Sequence, residues 1–142
     1  MPNKKGSDYA LIKKKYEAVI KKAEKGDIYS MKLMAQAYTE SEYLPKDCFA
    51  AEAWLRKAAE LGSDEAKKQL AKLLAESNGI AKDLEEAFDI NHELMLDCDL
   101  DAMAEVGKAY KLGLGIAKDE QKGSLFIKHA FNIALDLQDD EE

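Results

Sequence analysis

The segment GIAKD occurs at residues 79–83 and again at 115–119, an interval of 36 residues. One further step of 36 toward the start lands on YLPKD, where the Lys-Asp pair and an apolar residue keep the register. A chain that repeats at a period of roughly 20–50 residues is constrained by that period before anything else. Each copy must be one supersecondary unit, and the copies must stack to bury what a single unit cannot.

Laid out in steps of 36, the chain aligns Asp47, Asp83 and Asp119, each behind a lysine. Trp54, Ile90 and Phe126 align as large apolar residues. Ala51, Ala87 and Gly123 align as small ones, as do Ser30, Ala66 and Ala102, and Ala35, Ala71 and Gly107. Gly26 and Gly62 align with Cys98 in the third slot.

Each period reads as two helices. In DCFAAEAWLRKAAELG, the residues Ala51, Trp54, Leu55, Ala58, Ala59 and Leu61 follow the i, i+3, i+4 rhythm of one buried stripe. Asp47 offers a carboxylate to the free amides of the first turn, and Gly62 can take the left-handed conformation that ends a helix. SDEAKKQLAKLLAES follows, with Ser63 or Asp64 as cap and Ala66, Leu70, Ala71, Leu73 and Leu74 inward. Asp83 and Glu86 stand at capping-box spacing. LIKKKYEAVIKKAEKG aligns without a gap on the helix that ends at Gly62, so a lone helix of that type opens the chain.

The pattern predicts seven helices, at 8–25, 27–41, 47–61, 63–77, 83–97, 99–112 and 119–137. The fold class expected is all-α, a right-handed α-α superhelix (solenoid) of antiparallel pairs. Residues 1–7 are expected to be disordered. A single domain is expected over 8–138, with a capping helix at 8–26 and repeats at 27–62, 63–98 and 99–137, followed by an acidic tail from 138. Ala35, Ala71 and Gly107 would let neighbouring helices approach closely. Trp54, Ile90 and Phe126 would fill the space between pairs. With Cys98 in a glycine slot and Tyr43 in the Gly115 slot, those two turns are open questions.

Composition adds exclusions. With 46% hydrophobic and 35% charged residues the chain reads as a folded one. No apolar run approaches the ~18 residues of a membrane span. The lysines near the start precede no unbroken apolar stretch, which argues against a secretory signal. Cys48 and Cys98 are therefore expected as reduced thiols in a cytoplasmic protein. The net charge of −7 hides a gradient, because residues 1–25 carry eight lysines and three acids, a net +5, leaving −12 for the rest. An acidic body argues against nucleic acid as the default partner.

The repeated residues resemble the Sel-one-like repeat, a relative of the tetratricopeptide repeat. AMAEVGKAYKLGLGIAKD carries one half of that pattern in Ala102, Val106, Gly107, Tyr110, Gly113, Gly115, Ile116 and Asp119. KDCFAAEAWLRKAAELG carries the other in Asp47, Ala51, Trp54, Ala58, Ala59 and Gly62. The resemblance implies an adaptor or scaffold that binds a peptide or protein partner on a concave face, without catalysis. By the same resemblance Tyr29, Lys32, Gln36, Lys68, Lys72, Lys108 and Lys111 would fall on that face, flanked by Thr39, Glu65, Glu76, Asp101 and Leu112. Lys32 and Lys68, and Lys72 and Lys108, are each 36 apart. A lysine track on an acidic body suits an acidic peptide or a terminal carboxylate, against the plainer reading of a solvated helix face.

Signals for chemistry are weak. His92 and Cys98 lie near Asp97 and Asp99, but no C-x2-C or H-x3-H pair frames a metal site. His129 reads as a surface residue. GLGIAKD is not a phosphate loop, which needs G-x4-G-K-[ST] after a strand. No cofactor is expected. Two further readings use the charge gradient. The basic first helix could dock on an acidic protein or nucleic acid, or Lys14, Lys21 and Lys25 could meet Asp136, Asp139, Asp140 or Glu141 of another copy head to tail.

Overall fold

The computed structural model describes residues 4–40, 44–76 and 81–139, with the backbone alone for 4–9, 81 and 82. Expectations about Tyr43, Ser41 and Ser77, the turn at 78–80, residues 1–3 and the acidic residues 140–142 lie outside them. The described residues form seven α-helices and no strand. These are α1 (Lys4–Glu24), α2 (Ile28–Glu40), α3 (Cys48–Glu60), α4 (Asp64–Ala75), α5 (Ala81–Leu96), α6 (Leu100–Leu112) and α7 (Glu120–Asp139). Two expected boundaries are corrected. α1 starts at Lys4, so residues 4–7 are helical where disorder was expected. α5 starts at Ala81, which puts Asp83 inside the first turn, not at the cap position of a capping box.

Three turns repeat one hydrogen-bond pattern at the 36-residue interval. The amides of Gly26, Gly62 and Cys98 donate to the carbonyls of Ala23, Ala59 and Met95. The next amides, of Asp27, Ser63 and Asp99, donate to Lys22, Ala58 and Leu94. This double closure ends a helix on a left-handed residue. The φ values are +100° at Gly26, +95° at Gly62 and +68° at Cys98. The turn that the cysteine put in question is therefore kept.

The residue after each left-handed position caps the next helix. An Asp27 carboxylate oxygen accepts from the Ser30 amide at 3.2 Å and from its hydroxyl. Ser63 Oγ accepts from the Ala66 amide at 3.2 Å, and Asp99 Oδ1 from the Ala102 amide at 3.0 Å. The second helix of each pair is capped the same way at α3 and α7. Asp47 accepts from the Ala50 amide and Asp119 from the Lys122 amide. Their own amides close the preceding loop on the carbonyls of Tyr38 and Tyr110.

The chain divides into two compact units, Met1–Lys67 and Lys68–Glu142. In the first, α2 packs against both α1 and α3. Its core holds Ala23, Met31, Met34, Ala35, Ala51, Leu55, Ala58 and Ala66, with Ser30 as the buried polar residue. In the second, α6 packs against α5 and α7, around Phe88, Leu94, Val106, Ala109 and Ala130.

The expected small residues are where helices come closest. A β-carbon on Gly107 would meet the Gly123 carbonyl oxygen at 2.8 Å, and one on Gly123 would meet the Gly107 oxygen at 2.4 Å. The expected large residues are less enclosed. Trp54, Ile90 and Phe126 are all half-buried at the same register. Trp54 lies under the Lys57 ammonium, 4.8 Å from the ring, and Phe126 stacks on Tyr110 at 5.9 Å. Leu61, expected inward, is exposed because it is the C-cap residue of α3.

Candidate functional site

Of the residues expected on a binding face, Tyr29, Lys32 and Gln36 belong to the first unit. Tyr29 is exposed on α2. Gln36 donates to Glu40 one turn on, at 3.1 Å. Lys32 reaches Glu65 of α4 at 2.6 Å. In the second unit Lys68 bonds Asp99 at 2.6 Å and approaches Asp101 at 3.6 Å. Glu65 and Asp101 are themselves 36 residues apart, so the ties Lys32–Glu65 and Lys68–Asp101 are one interaction repeated. Each spans 33 residues and joins the first helices of consecutive pairs.

Lys68 is therefore not a free groove cation. The Asp99 hydrogen bond raises its pKa above the ordinary lysine value, against desolvation and with help from the charges of Asp99 and Asp101. Burial pushes the Asp99 carboxyl upward. The hydrogen bonds from Lys68 and the Ala102 amide, together with the Lys68 charge, outweigh burial and hold it below the ordinary carboxylate value. One carboxylate thus caps α6 and anchors a lysine of α4.

Lys68 and Asp101 of this tie also line a groove of about 410 Å³ that α4, α5 and α6 form within the second unit. Its floor is apolar, from Ala71 and Ala75 of α4, Leu84, Ala87 and Phe88 of α5, Ala102 and Ala109 of α6, and Leu114 beyond it. Phe88 is fixed by an edge-to-face contact with Tyr110 at 5.4 Å and a tilted one with His92 at 5.8 Å. Lys72 and Lys108, at equivalent positions of consecutive repeats, stand on its walls with Glu76, Glu105 and Asn91. Among the described residues neither lysine makes an ion pair.

Lys111 does not line this groove. It is exposed on α6, with its backbone against Gly123 of α7. Of the expected lysines, Lys68 is paired with Asp99 and Asp101, and Lys72 and Lys108 line the groove among acids.

Sequence reasoning missed Asp99, Leu84, Phe88 and Glu105 as groove or tie residues. The signal for Asp99 was present, since it shares a register with Asp27 and Ser63. Phe88 carried no such signal, because its aligned neighbours Glu52 and Ser124 are polar.

Among the described residues no group of three His, Cys, Asp or Glu side chains could hold a metal ion, and no helix is long and apolar enough to cross a membrane. Cys48 and Cys98 are exposed thiols.

Comparison with known proteins agrees with this geometry. The Sel1 repeat pattern matches residues 28–63, 65–89 and 100–123. No curated protein matches the chain. Among solved structures, c5321, a protective antigen present in uropathogenic Escherichia coli strains and displaying an SLR fold, superposes with a TM-score of 0.69 at 25% identity. That match covers 81% of this chain and 25% of the other, so the chain spans a quarter of the c5321 chain. A Sel1 repeat protein from Oxalobacter formigenes superposes with a TM-score of 0.60 at 25% identity, over 82% of this chain and 87% of that one. Helix pairs at a 36-residue period, with the pattern matched three times over more than half of the sequence, make this chain a member of the Sel1 repeat family.

Proposed function

We propose that the protein is a non-catalytic adaptor and that the α4–α5–α6 groove of the second unit receives a peptide segment of a protein partner. Sel1 repeat proteins are in general protein-interaction scaffolds, and their fold is typically non-catalytic. The observation that carries the reading is the pairing of an apolar floor with Lys72 and Lys108. These two lysines have no ionic partner among the described residues, whereas Lys68 beside them is committed to Asp99 and Asp101. The ligand that fits is a segment with an apolar side chain for the Leu84–Phe88 floor and a carboxylate for the two lysines.

The test is capture of a partner from a lysate of the source cells, followed by titration of the purified pair. Lys72→Glu with Lys108→Glu should weaken binding on the order of 10-fold or more, with the helical circular dichroism unchanged. Lys111→Glu should leave it unaltered. Retained affinity in the Lys72/Lys108 double variant rejects the groove.

A second reading uses α1. Its described lysines Lys13, Lys14, Lys15, Lys21 and Lys22, with Lys25 just beyond, are all exposed. If charge reversal at Lys14 and Lys21 abolishes capture while the groove variant binds normally, docking on an acidic surface is the function.

A further inference from the structure

The walls of the α4–α5–α6 groove carry acids as well as lysines, and their charges come in a definite order. Lys68 and Asp101 join the two walls near the starts of α4 and α6. Beyond that tie each wall continues turn by turn. On α4 the next charges lining the groove are Lys72 and then Glu76. On α6 they are Glu105 and then Lys108. The two walls therefore read in opposite senses. The step of 33 residues that joins Lys68 to Asp101 also carries Lys72 to Glu105, and a step of 32 carries Glu76 to Lys108.

The first pair closes and the next two do not. Lys72, Glu76, Glu105 and Lys108 are all exposed. Among the described residues none of the four makes an ion pair. Nor does the repeat frame need charge at the middle level. One repeat earlier the slots of Lys72 and Glu105 hold Gln36 and Gln69, while the tie Lys32–Glu65 is kept. Stacking accounts for the first pair and leaves the other charges without a task.

The four charges sum to zero. An all-acidic segment would gain Lys72 and Lys108 but would face Glu105 and Glu76 at the same two levels. Like charges brought face to face weaken binding and exclude such a partner. A segment that bears both signs finds an opposite charge at each level.

We infer, on the reading of this groove as a peptide site, that it selects a segment in which an acidic and a basic side chain flank one large apolar residue. The spacing suits an extended segment. Four residues of helix, as from Lys72 to Glu76, rise about 6 Å. Residues i and i+2 of an extended chain lie about 6.6–6.8 Å apart on one side, and the residue between them points the other way. That middle side chain takes the apolar floor at Leu84 and Phe88. Because the walls read in opposite senses, acid–apolar–base and base–apolar–acid both find a complementary wall.

The test is a phage-displayed library of random heptapeptides, panned on the full chain and, in parallel, on the Lys72→Glu/Lys108→Glu variant. Peptides enriched on the wild type alone should carry an acid and a base two residues apart around Leu, Ile, Met or Phe. The most enriched one is then synthesised and titrated. Glu76→Gln with Glu105→Gln should weaken its binding by about 5–10-fold, with the helical circular dichroism unchanged. Replacing the basic residue of the peptide by Glu should weaken binding to the wild type by a similar factor, and the Gln double variant should recover part of that loss. Enrichment of acid-only peptides, or tighter binding of the mixed-charge peptide by the Gln double variant, overturns the inference and leaves a groove for carboxylates standing. No enrichment on the wild type, or equal enrichment on both proteins, overturns the groove and the inference together.

Discussion

Cys98 holds a backbone conformation that the two matching slots give to glycine. At φ +68° a β-carbon crowds the neighbouring carbonyl, at a cost of roughly 1–2 kcal/mol. Cys98→Gly should therefore stabilise the protein by about 1 kcal/mol, the relief of that crowding less the extra chain entropy glycine loses on folding. Gly62→Ala should cost a similar amount. Urea unfolding midpoints of the three proteins check both. One residue further on, Asp99 couples two tasks that substitution can separate. Asp99→Asn keeps a good helix cap and removes the charge that holds Lys68, so the loss should be about 0.5–1 kcal/mol for a partly exposed pair. Asp99→Ala loses the cap as well, at about 1 kcal/mol more. The Asp99 pKa is lowered in the folded chain. Its stabilisation is complete above the ordinary carboxylate value and fades as pH falls through the folded value. The gap between wild type and Asp99→Asn should accordingly close in acid, as thermal melts from neutral pH down to about pH 2–3 would show.

Among the elements, α6 and α7 lie so close that their contact depends on what is missing from it. A methyl group on Gly123 would sit 2.4 Å from the Gly107 carbonyl oxygen and 2.6 Å from the Lys111 amide nitrogen. Both are backbone atoms and cannot swing away. Gly123→Ala should destabilise by about 1–3 kcal/mol, whereas Ala134→Gly, at an exposed site of the same helix, should cost about 1 kcal/mol by propensity alone. Comparing their urea midpoints separates overpacking from helix propensity. This closeness was legible beforehand, because Gly107 and Gly123 occupy slots that other copies fill with alanine. Helix number and order were legible for the same reason, as an apolar stripe at helical spacing survives any amount of polar variation on the other face. Boundaries were less so. The start of α5 was misread because Asp83 has the chemistry of a cap, whereas the helix begins two residues before it.

The molecule as a whole is acidic, with its lysines gathered toward one end of the sequence, and this separates the two functional readings in solution. Two lysines in a groove among acids predict that partner binding weakens only modestly, by a few-fold, between about 50 and 300 mM salt. Docking through the lysines of α1 predicts a far steeper decline. Isothermal titration at the two salt concentrations distinguishes them. Why the groove was only half legible has a physical answer. Lys68 and Lys72 sit in the same kind of helix face with the same spacing to their repeats, and nothing local says which one is spoken for. That depends on Asp99 and Asp101, some thirty residues away, and on the fold bringing α6 beside α4. The same arrangement bears on how such chains lengthen. The segment 63–98 contains both Glu65 and Lys68, the acid that answers the lysine before it and the lysine that awaits the acid after it. A tandem duplication of those 36 residues would create a matched pair at its own seam, so the gene can gain a module in one event with its electrostatic joint already made.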